Sequence, residues 1–384
     1  MKIGVDIRVL MDQYYSGVSQ YTANLLTAIL EQDKTNQYCL FYNSWHNLDD
    51  RLGHWQRANA KLISRHLPNK IFNYFLQKLL GRPKLDKILG GVDLFWSPHF
   101  NFSSFTPSVT RIVTVHDLSF LRYPHFFNYR KNFWHRALNV KKILRGATHL
   151  VAVSQSTKND IIELAGIAPD KISVIYSGNN SIKREVGNQE QQEYLIAHSI
   201  KGRFLLYLGN LEPRKNLVGL IAAFNELKSK QPELADLQLV LAGAPGWKNH
   251  RLYQAKRLSP YQADIIFLGY ISQKEREILY SSASVFVYLS FYEGFGFPPL
   301  EAMTYDLPVV CSNVSSLPEV VGDAAILVNP FQIEETVYAV TEILKEADLR
   351  DRLIQKGRER VKLFSWNKTA SEYLALFNKI RSIN

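Results

Sequence analysis

Short runs of β-branched and aromatic residues alternate with amphipathic stretches along the whole chain, a rhythm that predicts parallel α/β units. In the first half it predicts strands at Ile3–Ile7, Tyr38–Tyr42, Arg111–Val115, Leu150–Val153 and Ser173–Tyr176. Helices are expected at Gln20–Glu31, Phe133–Arg145 and Ser156–Ala165, the last stopped by Gly166. From Ser177 to Gly202 the rhythm breaks. Gly178, Asn179, Asn180, Gly187 and a Gln/Glu cluster carry little apolar periodicity, so 179–202 reads as a linker with a short helix at Gln192–His198. Strands then resume at Phe204–Leu208, Gln238–Ala242, Ile265–Leu268, Val285–Leu289, Val309–Cys311 and Ala325–Val328. The end, Ser365 to Ile383, reads as an amphipathic helix with Trp366, Tyr373, Leu374 and Phe377 on one face. Two doubly wound α/β domains are expected, 1–178 and 203–364, with ligands beyond the carboxyl ends of their strands.

Length agrees, since 384 residues exceed the size at which a single core stops growing. The two cysteines, Cys39 and Cys311, suggest no disulfide framework and fit a reducing cytoplasm. The start, Met1 to Asp6, reads as a strand without a signal-peptide apolar region. No run reaches the ~20 apolar residues that span a bilayer, so a soluble or peripheral protein is expected.

The net charge of +11 is concentrated. Between Asn59 and Gly90, Lys61, Arg65, Lys70, Lys78, Arg82, Lys84 and Lys87 face one acid, Asp86. Within that stretch Ile71, Phe72, Phe75, Leu76, Leu79 and Leu80 repeat at helical spacing, with Lys70, Asn73, Gln77 and Lys78 opposite. Such a basic amphipathic helix over 69–89 suits an anionic membrane surface, and equally a helix packed on its own domain with a solvated face. No recognition motif supports a nucleic-acid partner.

The most informative segment runs from Tyr292 through Glu293, Gly294, Phe295, Gly296, Phe297, Pro298, Pro299, Leu300 and Glu301 to Met303. Pro298 suits the first turn of a helix, and the glycines let backbone amides approach an anion. Glu293 in the loop and Glu301 a turn into the helix are expected to face one site. Spacing alone serves as well for a tight turn with two solvated glutamates. The two glutamates, with seven residues between them enclosing Gly-Phe-Gly, closely resemble the E-x7-E motif of family 4 glycosyltransferases of GT-B fold, in which two Rossmann-like domains face a central cleft. The resemblance implies that Glu293 binds donor-sugar hydroxyls and Glu301 the ribose. It also implies that Gly294, Phe295, Gly296 and Leu300 line the sugar and phosphate site.

The stretch Leu208-Gly209-Asn210-Leu211-Glu212-Pro213-Arg214-Lys215-Asn216 follows a strand and is expected to open a helix. Its cation pair suits a diphosphate leaving group, or else sits as two surface cations on a first turn. The segment resembles the family's Gly-x-Leu-x-Pro-Arg-Lys-Asn stretch, which implies that Arg214 and Lys215 bind the phosphates. Many relatives carry Arg where this chain has Asn210. By the same resemblance Gly269, Tyr270 and Ile271 cradle the nucleobase. Gly243-Ala244-Pro245-Gly246 reads as a second loop over the cleft or an ordinary turn.

On the acceptor side, Tyr14-Tyr15-Ser16-Gly17 links strand to helix. Relatives show Gly-Gly here, so Ser16 departs from the pattern, while the Gly17 amide is expected to reach phosphate. His116 ends a strand and, by the resemblance, positions the donor sugar rather than acting as a base. Asp117 is expected to orient it, and His99 to be structural. No Asp-x-Asp or zinc spacing occurs, so metal-independent catalysis is expected.

The resemblance implies a retaining hexosyltransferase using a nucleotide diphosphate sugar and no further cofactor. Its Glu-Pro-Arg-Lys-Asn style is that of bacterial mannosyltransferases of surface polysaccharide, which implies GDP-mannose as donor. A glycan or lipid-linked acceptor follows, with the protein in the cytoplasm or on the membrane's inner face. The terminal helix, 365–384, is expected to cross back onto the first domain. An epimerase or phosphorylase of the same architecture, or a non-catalytic nucleotide-sugar binder, are the rival readings.

Overall fold

The computed structural model describes residues 1–11, 16–179, 181 and 183–381. Tyr14, Tyr15, Asn180 and Ile383 from the segments above lie outside them. The chain divides into two compact units. The first comprises Met1–Pro124, Tyr129–Gly178 and the chain from Phe364 onward, and the second His125–Asn128 with Asn179–Leu363.

The first unit holds a seven-stranded sheet of β1 (Lys2–Asp6), β2 (Gln37–Asn43), β3 (Ala60–Arg65), β4 (Leu94–Ser97), β5 (Thr110–Val115), β6 (His149–Ala152) and β7 (Ile172–Val174). Their order is β3-β2-β1-β4-β5-β6-β7, every pair parallel. The strand order reverses between β1 and β4, the point where doubly wound sheets place their ligands. β3 and β4 were absent from the predicted strands. β3 is an edge strand with only one fully buried residue, Ala60, and β4 has four residues, so neither carries a strong period-two signal.

The second unit repeats the plan with β8 (Phe204–Leu208), β9 (Gln238–Ala242), β10 (Ile265–Gly269), β11 (Val285–Tyr288), β12 (Val309–Ser312) and β13 (Ile326–Val328). The order is β10-β9-β8-β11-β12-β13, again all parallel, with the reversal between β8 and β11. β8, β9, β11 and β12 are buried throughout, which is why they read as continuous apolar runs. The stretch 179–202, read as a linker, folds with this unit around a helix at Asn188–Ala197.

Three helical readings are corrected. Phe133–Arg145 is two helices, Tyr129–Leu138 and Val140–Gly146, broken where Asn139 adopts a left-handed conformation at φ 53°. The basic segment is a π-helix over Lys70–Leu80, so residues five apart share a face. Phe72 and Gln77 are its two buried members, although Gln77 was expected on the polar side. Phe72 joins a core with Cys39, Phe41, Leu85, Leu89, Phe95 and Val109. Gln77 donates to the Pro83 carbonyl (2.8 Å) and accepts from the Ser104 amide (2.8 Å). Asn73 also turns inward, accepting from Arg8 Nη1 at 2.7 Å. Third, Arg214 and Lys215 do not lie in the helix that follows them. They form a 3-10 turn, Pro213–Lys215, and the helix begins at Leu217 after Asn216 at φ 54°.

The helix Trp366–Arg381 packs within the first unit against helix Gly17–Gln32. Tyr373 anchors it. Its hydroxyl lies 2.8 Å from that of Tyr21 and 2.7 Å from Thr114 Oγ1, which itself accepts from Trp96 Nε1 at 3.0 Å.

Candidate functional site

In the second unit the loops leaving β8 and β11 are neighbours because these strands pair at the reversal point. The first begins at Gly209, φ 153°, where an added Cβ would lie 2.8 Å from the Tyr207 hydroxyl. It is braced by the loop after β9, since a Cβ on Gly243 would stand 2.0 Å from the Gly209 carbonyl oxygen. Leu211 N also donates to Ala244 O, and Gly246 N to Leu211 O. The Gly243–Gly246 segment thus buttresses the cation-bearing loop.

That loop delivers Arg214 and Lys215 to Glu293. Arg214 Nη1 donates to Glu293 Oε2 at 2.9 Å and Nη2 to Glu212 Oε1 at 2.8 Å. Lys215 Nζ donates to Glu293 Oε1 at 2.5 Å and to the Tyr288 hydroxyl at 2.7 Å. Lys215 is only 6% exposed and Glu293 7%, so the surface-cation alternative for Lys215 is set aside. Burial pushes the Glu293 carboxyl up, but Arg214 and then Lys215 outweigh it and hold it at about 2. Burial pushes the Lys215 ammonium down, Arg214 adds to this, and Glu293 opposes it. Buried Lys215, partly exposed Arg214 and two buried carboxylates therefore compensate one another, an arrangement whose cations can turn to an incoming anion.

The Glu293 backbone is tied separately. Its amide donates to Ser315 Oγ (2.9 Å), and Ser316 Oγ donates to the Glu293 and Phe295 carbonyls (3.1 and 2.8 Å). Gly296 caps helix Phe297–Thr304 at φ 108°, where a Cβ would meet Leu317 Cδ2 at 2.7 Å. Prolines occupy the start of that helix, as expected. Glu301 has a different environment from Glu293. It is 2% exposed and accepts from the Tyr280 hydroxyl (3.0 Å) and Arg276 Nη1 (3.4 Å). Neither glutamate is solvated, which overturns the plain-turn alternative. Leu300, a turn into that helix, is fully buried. Gly269 sits at φ 72°, its carbonyl accepting from Gly243 N at 2.7 Å; Tyr270 is exposed and Ile271 buried.

A cavity of about 640 Å³ adjoins the cluster, lined by Glu212, Asn216, Phe291, Lys248 and Arg251 and by His125 and Phe126. Trp247 Nε1 donates to Phe126 O, and Phe126 stacks on Phe291. Glu212, Tyr288, Ser315, Ser316, Tyr280 and Arg276 were given no role by sequence. Glu212 lies within a recognised segment, two residues from its partner Arg214, whereas Tyr288 meets Lys215 across 73 residues and leaves no periodic trace.

In the first unit Ser16 caps helix Gly17–Gln32, accepting from Ser19 N at 3.3 Å, with Gly17 as its first residue. His116 follows β5. Its Nε2 lies 2.8 Å from the Pro98 carbonyl, an acceptor only, so Nε2 carries the proton and Nδ1 is the ring's acceptor. Burial pushes His116 down to about 4 against the Pro98 bond and Asp117, which leaves it neutral at pH 7. The expected orienting role of Asp117 is corrected, since that carboxylate accepts from Ser119 N (2.9 Å) and Oγ (2.6 Å). Orientation comes from Pro98 and from Tyr21, whose ring meets His116 edge-on at 4.6 Å. His99 lies 6.3 Å from His116 between ring centres and is likewise pushed down to about 4 by burial.

Comparison with known proteins agrees with this geometry. Residues 190–360 match the family described as Glycosyl transferases group 1, and residues 15–180 match Glycosyltransferase Family 4. The O-antigen chain mannosyltransferase B of Escherichia coli is 32% identical over 274 residues, 68% of each chain. The serotype-specific mannosyltransferase WbdA of the same species is 28% identical over 251 residues, 65% of this chain and 31% of that longer one. Among solved structures, sucrose-phosphate synthase from Thermosynechococcus elongatus aligns over 100% of both chains with a TM-score of 0.75 at 19% identity, and so shares the fold. By these matches and by its paired parallel α/β units, the chain belongs to the group 1, family 4 glycosyltransferases of GT-B fold.

Proposed function

We propose that this chain is a retaining, metal-independent mannosyltransferase that moves mannose from GDP-mannose to a glycan or lipid-linked acceptor in surface polysaccharide assembly. The ion-paired Arg214–Glu293–Lys215 cluster at the β8/β11 reversal carries the reading, and two relatives named as mannosyltransferases support the choice of sugar.

In this account Arg214 and Lys215 turn from Glu293 to the donor's diphosphate and neutralise the charge that grows as the sugar–phosphate bond breaks. Glu293, still ionised, receives the sugar hydroxyls, and Glu301 the ribose. Backbone groups of Gly294 to Gly296 and Gly17 contribute amides, and Gly269 to Ile271 hold the base. Neutral His116 accepts a sugar hydroxyl at Nδ1. The acceptor oxygen bonds to the anomeric carbon on the face the diphosphate leaves, and its proton passes to the departing phosphate oxygen. The acceptor is presented at the inner face of the membrane, to which the basic segment 69–89 docks.

A thermal-shift panel of GDP-, UDP- and ADP-sugars tests the donor. GDP and GDP-mannose are expected to raise the melting temperature most. A larger shift from a UDP- or ADP-sugar would overturn the donor assignment.

A further inference from the structure

The π-helix Lys70–Leu80 exposes Ile71, Tyr74, Phe75, Leu79 and Leu80, each between 47% and 59% accessible. A second helix of the same unit, Tyr129–Leu138, exposes Tyr129 (81%), Phe133 (58%) and Trp134 (39%). Phe102 joins them. Its ring lies 6.2 Å from that of Tyr74 and 6.3 Å from that of Trp134, with Lys78 Nζ 5.8 Å over its face. Two segments about sixty residues apart thus form one aromatic surface. Exposed apolar groups gathered in this way mark a contact site, unlike scattered single ones.

The charge around them has one sign. Residues 70–87 and 129–145 hold eleven Lys and Arg against a single acid, Asp86, whereas the whole chain has 46 against 35. Asp86 does not offset them at the surface. It is buried and accepts from Thr106 N (2.9 Å) and Oγ1 (2.8 Å). Lys70, Lys78, Arg82, Lys87, Arg130, Lys131 and Arg136 are all exposed.

We infer that helix Tyr129–Leu138 is the second half of a membrane-docking face. Tyr129, Phe133 and Trp134 enter the headgroup region of an anionic bilayer beside Phe75 and Leu79, while Arg130, Lys131 and Arg136 meet its phosphates. The inference rests on the membrane reading above and extends it from one helix to two. Aromatic rings with an apolar body suit the headgroup boundary, and rimming cations add attraction that salt screens. A second copy of the chain fits less well, because two faces of this charge would repel.

The full chain is to be sedimented with vesicles of phosphatidylglycerol and phosphatidylethanolamine, and with phosphatidylcholine vesicles as the uncharged control. Tyr129→Ser/Phe133→Ser and Phe75→Ser/Leu79→Ser are each expected to weaken partitioning at least ~10-fold, and the combined variant more. Lipids brominated near the headgroup should quench tryptophan fluorescence, less so in Trp134→Phe. Transfer to a soluble acceptor glycan should be unchanged in all of these variants, which separates this inference from the catalytic assignment. Wild-type partitioning by the Tyr129→Ser/Phe133→Ser variant, with Phe75→Ser/Leu79→Ser impaired, would overturn the two-helix face alone. Absence of wild-type binding to anionic vesicles at low salt would overturn membrane docking altogether. A dimer in solution that Phe133→Ser dissolves would assign the face to a second copy and overturn it equally.

Discussion

The loops that end β8 and β11 flank the reversal point of one sheet, and those that end β4 and β5 lie at and next to the reversal point of the other, yet their electrostatics differ. The second unit gathers full charges there: Glu212, Arg214, Lys215 and Glu293, all paired within 3 Å. The first gathers neutral imidazoles, His116 and His99, with His135 also pushed down to about 4 chiefly by burial. A diphosphate leaving group needs compensating charge at one end, while sugar hydroxyls need oriented neutral acceptors and donors. On the proposed mechanism, the difference assigns the phosphates to the second unit.

Breaking the charged cluster should have the largest effect. Glu293→Gln and Lys215→Ala are each expected to lower turnover by at least ~10²-fold at saturating donor, with circular dichroism confirming a folded protein. Near-normal turnover in both would remove the cluster from catalysis.

Acid should separate the two units. The three histidines sit at about 4 rather than 6.5, so the unfolded chain takes up protons in this range before the folded one does. Stability of the first unit should therefore fall as pH drops from about 6.5 toward 4. Glu293 is depressed from 4.5 to about 2, so its contribution is intact above about 4.5 and lost only as pH falls toward 2. Hydrogen exchange followed by mass spectrometry at stepped pH should show the first unit loosening first. His99→Gln with His116→Gln should flatten the upper step, and simultaneous loosening of both units in wild type would contradict the contrast.

Tyr373→Phe is a smaller perturbation confined to the first unit. It leaves the buried Tyr21 hydroxyl and Thr114 short of a partner, a loss of about 1–3 kcal/mol. Denaturant melts should register it, with KM for the donor unchanged. Smallest of all, a strong chelator is expected to leave turnover as it was. Loss of activity restored by manganese or magnesium would show that the cations of the second unit do not suffice.

What the residues disclosed in advance follows from how local each signal is. Buried parallel strands such as β8 and β11 announce themselves as apolar runs, and the Glu293 loop is one contiguous motif whose glycine at 296 caps a proline-led helix. Edge strand β3 and the four-residue β4 give too little pattern. The π-helix defeated a 3.6-residue reading, because Phe72 and Gln77 share a face only when residues five apart align. Pairing of Glu293 with Arg214 and Lys215 spans nearly eighty residues and depends on β8 lying beside β11, which no local spacing encodes. Tyr280 and Arg276 on Glu301 were missed for the same reason.

The most direct test of the central claim is proton NMR of the first-formed product from GDP-mannose and an acceptor glycan, read before any equilibration. The account predicts a new α-mannosyl anomeric signal, matching the donor's configuration, that appears with wild type and fails to appear with Glu293→Gln. A β-mannosyl product, or an α product formed equally well by Glu293→Gln, would contradict it.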